Sequence, residues 1–137
     1  MDVTQIPFVK HIGIEKNEEG TVKLKPTVRV ENHIETIHAA AQFALAETQS
    51  GLYLQTLFPE YRGKVMPLLR ESSVKYKKPA TSTLTASAYV EEGVKEKFLI
   101  AFEAKGRAII TVYVELRDEN EVVTMRGEFT WFVSNIE

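Results

Sequence analysis

Three polar side chains beside one apolar stretch have the types that chemistry needs: Asn32, His38 and Glu47. A carboxylate can take a proton from water or attack a carbonyl, an imidazole can donate or accept a proton, and an amide can orient either partner. Glu47 is the most informative of the three. From Thr36 to Pro59 the chain reads TIHAAAQFALAETQSGLYLQTLFP, and Glu47 is its single formally charged side chain. A helix that is apolar nearly all round is a buried helix. A carboxylate on such a helix is costly unless it is paired, hydrogen-bonded or protonated. Glu47 follows His38 by nine residues, which is half a turn out of phase at about 100° per residue. The two are therefore unrelated, or His38 lies in the turn before the helix and is aimed independently, or they act from different subunits.

The elements that must position these residues can be read from patterning. Thr36 is a plausible N-cap for the central helix, and Phe58-Pro59 ends it, since proline disfavours helix in the residue before it. Before the helix, Ile6 to Ile12 reads as a short apolar turn or helix. Ile12 to Ile14 and Thr21 to Leu24 read as short strands around Asn17-Glu18-Glu19-Gly20, and Pro26 to Glu31 as extended chain with Val28 and Val30 inward. After it, Val65 to Lys78, Thr83 to Val90, Arg107 to Arg117 and Val122 to Ser134 alternate apolar and polar residues as half-buried strands do. Asp118-Glu119-Asn120 turns the last pair. In Glu91 to Lys105 the spacing of Val94, Phe98, Ala101 and Phe102 predicts an amphipathic helix ending at Gly106. One apolar helix and a meander of antiparallel strands pack best when the sheet curls around the helix. The expected class is α+β, with five to six strands, in a single domain over 1–137.

Composition narrows the function. The chain has 137 residues, 44% hydrophobic and 26% charged, with a formal net charge of −2. No basic excess points to nucleic acid. No cysteine is present, which excludes disulfides, thiolate metal sites and a cysteine nucleophile and fits a cytoplasmic protein. The N-terminal MDVTQIPFVKHIG lacks the apolar run of a signal peptide. Gln42, Glu47, Thr48, Gln49, Ser50 and Gln55 make membrane insertion of the central stretch implausible. His11 and His33 have no companions at metal-ligand spacing, so no metal is expected, and nothing calls for a cofactor.

The segment from Asn32 to Glu47, NHIETIHAAAQFALAE, resembles the active-site segment of hotdog-fold acyl-CoA thioesterases of the phenylacetate-pathway type. That pattern has an Asn, a Gly three residues on, His-Gly-Gly, and an acid nine residues after the His. Asn32, His38 and Glu47 fall on its Asn, His and acid. Glu35 stands at the first glycine and Ala39-Ala40 at the glycine pair, so the chain looks closer to a sparsely characterised branch with His-Ala-Ala in place of His-Gly-Gly. Ser73 to Pro79 and Gly106 to Asp118 resemble later strands of the same fold.

The resemblance implies a hotdog fold and hydrolysis of an acyl-thioester at the interface of a homodimer or dimer of dimers, with no cofactor. Glu47 would be general base or nucleophile, and burial among Phe43, Ala46, Ser50 and Leu54 would raise its pKa. The Ala39 and Ala40 N–H groups would form the oxyanion site, where a helix N-terminus favours negative charge. His38 and Asn32 would orient carbonyl or water. Phe43, Ser50, Ser73, Lys75 and Lys77 would contact substrate, the lysines meeting the phosphates of a coenzyme A moiety. Each residue also has a plainer reading. Glu47 could pair with a cation across a subunit contact, His38 could cap the helix, Asn32 could hold a turn, and Lys75, Lys77 and Lys78 could be the wet face of a strand. Two rival functions remain: a domain that binds acyl groups or partners without catalysis, and an acyl-thioester dehydratase or isomerase.

Overall fold

The computed structural model describes residues 1–136. Among them six strands form one antiparallel sheet: β1 (Glu15–Lys16), β2 (Val22–Leu24), β3 (Val65–Tyr76), β4 (Leu84–Tyr89), β5 (Arg107–Arg117) and β6 (Val123–Asn135), in the spatial order β1-β2-β4-β5-β6-β3. The helices are α1 (Pro7–Ile12), α2 (Ala39–Leu57) and α3 (Val94–Lys105). Alternation along the long strands decides which side is buried. Ile110, Val112, Val114 and Leu116 of β5 and Met125, Phe129, Trp131 and Val133 of β6 are all buried, and α2 packs against β2, β4, β5 and β6. Each such Leu, Ile or Phe taken out of water contributes about 1.5–3 kcal/mol, so the helix and the concave sheet face hold each other.

Polar side chains fix where α2 sits on the sheet. The Thr124 hydroxyl donates to Gln42 Oε1 (3.0 Å), and the Val22 N–H donates to Gln49 Oε1 (2.9 Å). These amides are seven residues apart and share one helix face. The Trp131 indole donates to Ser50 Oγ (2.9 Å), and that hydroxyl donates to the Glu47 carbonyl (2.7 Å).

Several boundaries differ from the sequence reading. His38, not Thr36, caps α2: its Nδ1 accepts the Ala40 N–H (2.9 Å). The Thr36 hydroxyl is already used by the Asn32 side-chain amide (2.7 Å). Pro26 to Glu31 is not an inward-facing strand. Val28–Val30 is a turn of 3-10 helix in which Val30 is buried and Val28 lies in solvent. The first hairpin begins at Glu15, because Gly13 in the left-handed conformation ends α1 there. The expected helix before Gly106 is present, with Phe98 and Phe102 buried against Phe58 and Tyr61.

The two edges of the sheet are unequal. β1 has two residues, whereas β3 has twelve and, among the described residues, pairs with β6 alone. Its free edge carries exposed Met66 and Leu68. A long strand edge with apolar side chains is a template for pairing with another chain.

Candidate active site

The turn before α2 is built from Asn32. Its side-chain carbonyl accepts the Ile34 and Thr36 N–H groups (both 3.0 Å), and Glu35 adopts φ +62° within that turn. A left-handed residue is cheap for glycine and strained for glutamate. The backbone conformation that a glycine would ease is thus present here without one. Ala39 and Ala40 need no such conformation, since Glu35 and Glu121 are the non-glycine residues with positive φ among the described residues.

Beyond the turn, α2 begins in solvent. His38, Ala39 and Ala40 are exposed. Of the two expected oxyanion donors, the Ala39 N–H has no partner among the described residues, while the Ala40 N–H is held by His38. With Nδ1 accepting, a neutral His38 carries its proton on Nε2, which becomes a second donor at the same helix end. The Tyr76 hydroxyl donates to the Ala39 carbonyl (3.1 Å), tying this end to the last residue of β3. Sequence reasoning did not single out Tyr76; its place at the end of an alternating strand gave no sign of that contact.

Glu47 lies two and a half turns further on, half-buried. Its carboxylate makes no hydrogen bond or ion pair with the described residues. Burial alone pushes its pKa above the ordinary value of 4.5. A lone carboxylate held this way can accept a proton from water or attack an electrophilic carbon. His38 and Glu47 are about 13 Å apart along the helix axis, so one protomer does not bring them to one carbonyl.

The other expected residues divide. Phe43 packs on Phe129, ring centroids 5.5 Å apart, and is half-buried. Ser50 is fully buried and engaged by Trp131 and the Glu47 carbonyl, with no open side for a ligand. Ser73, Lys75 and Lys77 line one cavity of ≈ 310 Å³ with Arg126 and Tyr113. Ser73 and Lys75 alternate with Val74, whose methyl faces Gly127 on the helix side, so the sheet stands between them and Glu47 within one protomer. No group of His, Cys, Asp and Glu among the described residues could hold a metal ion, and no helix among them is long and apolar enough to cross a membrane.

A long helix wrapped by one curled antiparallel sheet in this strand order is the hotdog fold. The chain belongs to the family described as Domain of unknown function (DUF4442), whose profile matches residues 4–133. No curated protein matches it. Its fold is similar to that of a Pseudomonas aeruginosa protein of unknown function, named a probable thioesterase (20% identity, 97% of this chain and 91% of that one, TM-score 0.82). It is also similar to a Haemophilus influenzae thioesterase (20% identity, 98% and 88%, TM-score 0.76). A third similar structure is a Bacillus halodurans protein solved with CoA (21% identity, 89% and 72%, TM-score 0.68).

Proposed function

We propose that this protein hydrolyses an acyl-thioester, in the first place an acyl-CoA, with Glu47 as the group that activates or replaces the attacking water. The observation that carries this reading is the bare, half-buried carboxylate of Glu47 with its raised pKa. A carboxylate kept only for stability would have a cation or N–H donors. The names of the fold neighbours add support: two are called thioesterases and another was solved with CoA.

In the general-base route Glu47 takes a proton from water as its oxygen bonds to the thioester carbon. The carbonyl oxygen becomes an oxyanion held by the free Ala39 N–H and by His38 at a helix N-terminus. Collapse breaks the carbon–sulfur bond, and the thiolate recovers the proton from Glu47. In the nucleophilic route the Glu47 carboxylate expels the thiolate to form an anhydride, which water then cleaves to the acid and free Glu47. Asn32 acts by shaping the turn that presents these amides.

The Glu47 and Ala39 of one reaction centre belong to different subunits in this reading. The separation of about 13 Å within one helix supports it, as does the unpaired β3 edge with exposed Met66 and Leu68. A partner across that edge would also bring Ser73, Lys75 and Lys77 toward the phosphates of a coenzyme A entering from the outer face. The assembly is a homodimer or dimer of dimers of single-domain chains working in the cytoplasm. Glu47→Gln and Glu47→Ala, assayed by thiol release from acyl-CoA, are expected to lose turnover with an unchanged circular dichroism spectrum. Turnover retained in both variants overturns the assignment.

A second reading, acyl or partner binding without hydrolysis, is favoured by one observation: His38 already occupies the Ala40 N–H. Acyl-CoA binding without thiol release would select it.

A further inference from the structure

One turn beyond Glu47, α2 carries a residue that neither its conformation nor its packing requires. Gly51 lies inside the helix, where glycine is the least favourable residue after proline. Its backbone is outside the left-handed region, and a methyl built on it would meet nothing nearer than the Trp131 ring at 3.5 Å, an ordinary contact. Alanine would fit the protein and favour the helix. What glycine leaves is room.

That room opens into a cavity of ≈ 310 Å³ at the C-terminal end of α2, walled by Leu54, Phe58, Tyr61, Phe98 and Phe102. Its polar lining residues, Gln55 and Arg62, are joined to each other through the Gln55 carbonyl (3.4 Å). Otherwise the walls are apolar. Positions 47, 51, 54 and 58 recur at the spacing of one helix face, so the cavity, lined by Gly51, Leu54 and Phe58, lies along the face that carries Glu47. Aromatic pairs line this end, Phe58 stacked on Phe98 at 4.6 Å and Tyr61 tilted against Phe102 at 4.9 Å.

We propose that this groove is an acyl channel for a straight, saturated chain of medium length, and that Gly51 sets which chains pass. The position of the thioester carbonyl at Glu47 rests on the hydrolase reading above; the channel itself does not. From Gly51 to Phe58 the helix advances about 10 Å, and from Glu47 about 16 Å. A staggered chain of ~1.5 Å bonds advances ~1.3 Å per bond, which fits about eight to twelve carbons. Apart from Gln55 and Arg62 the walls are apolar, so a branched polar acyl tail would lose its water along most of the groove.

The test is a series of straight-chain acyl-CoAs from acetyl to palmitoyl, read by thiol release, with wild type, Gly51→Ala and Gly51→Leu. Wild type is expected to prefer octanoyl to dodecanoyl. Gly51→Leu is expected to lower kcat/KM for those chains roughly tenfold or more while sparing acetyl and butyryl, since added carbons in an apolar slot discriminate on that scale. Gly51→Ala should shift the profile the same way by less, and it serves if the leucine variant does not fold. A folded variant with an unchanged profile, or with equal loss on acetyl and decanoyl, overturns the channel and leaves the hydrolase reading standing. If wild type hydrolyses none of the series, the hydrolase reading fails, and thermal shift with decanoyl-CoA against CoA decides the channel. A decanoyl-specific stabilisation reduced in the Gly51 variants supports it; equal shifts with both ligands overturn it.

Discussion

Two glutamates of similar exposure are treated in opposite ways. Glu115, on the outer face of β5, is bracketed by arginines: Arg117 reaches one carboxylate oxygen at 2.5 Å and Arg126 Nε the other at 2.7 Å. Glu47, on the helix inside the sheet, has neither cation nor donor among the described residues. On the sheet the charge is neutralised where it sits, and its chemistry is spent on holding two strands together. On the helix the charge is taken partly out of water and left available. Fold stability gains from the first arrangement and is lowered by the second, so the second needs a reason outside the fold.

The largest effect that sharpens the contrast is on turnover. Glu47→Gln should reduce thiol release by roughly 10²–10⁴-fold, the range for loss of a general base, while the matching Glu115→Gln change, read as kcat at saturating acyl-CoA because Glu115 borders the cavity of Lys75 and Lys77, leaves turnover within a factor of about two of wild type. Equal losses in the two variants would erase the contrast. Next in size is Ser50→Ala. It strips the buried Trp131 N–H of its acceptor and frees the Glu47 carbonyl, and should cost about 1–3 kcal/mol in denaturant unfolding. A neutral result would mean that Trp131 finds another acceptor and that the helix turn under Glu47 is not held this way. Glu115→Gln itself should cost less than about 1 kcal/mol, because its arginines stay partly hydrated.

The subtlest difference appears with pH. The pKa of Glu47 in the folded chain lies above 4.5. Between that ordinary value and the raised one, the unfolded chain has lost a proton that the folded chain keeps. Stability therefore falls as pH rises through the window and stays lowered above it. Glu47→Gln has no such window. Its melting temperature should match wild type in acid and exceed it at neutral pH; a wild-type advantage at neutral pH would reveal a partner for the carboxylate. Activity should rise with pH over the same window, as the base loses its proton.

Much of the fold was legible because its signals are periodic. The 19-residue helix α2 shows as one uncharged run broken by Glu47, and β4, β5 and β6 show as alternation. Where the signal was a competition between neighbours, the reading slipped. Thr36 and His38 both qualify as caps, and Asn32 decided between them by taking the Thr36 hydroxyl. Val28 and Val30 look alternating, yet one is buried and the other is in solvent, because a short turn has no sheet partner to hold the alternation.

The same division runs through the site. The sequence by itself determined that Glu47 would be the lone charge on a buried helix and that His38 would stand half a turn out of phase, because residue type and helical period are local properties. Only the tertiary structure decided that Glu47 has no partner among the described residues, that His38 holds the Ala40 amide, that Ser50 is sealed under Trp131, and that Gly51 opens on a largely apolar cavity. Those outcomes depend on which groups distant parts of the chain bring within hydrogen-bond or contact distance, and no local pattern records that.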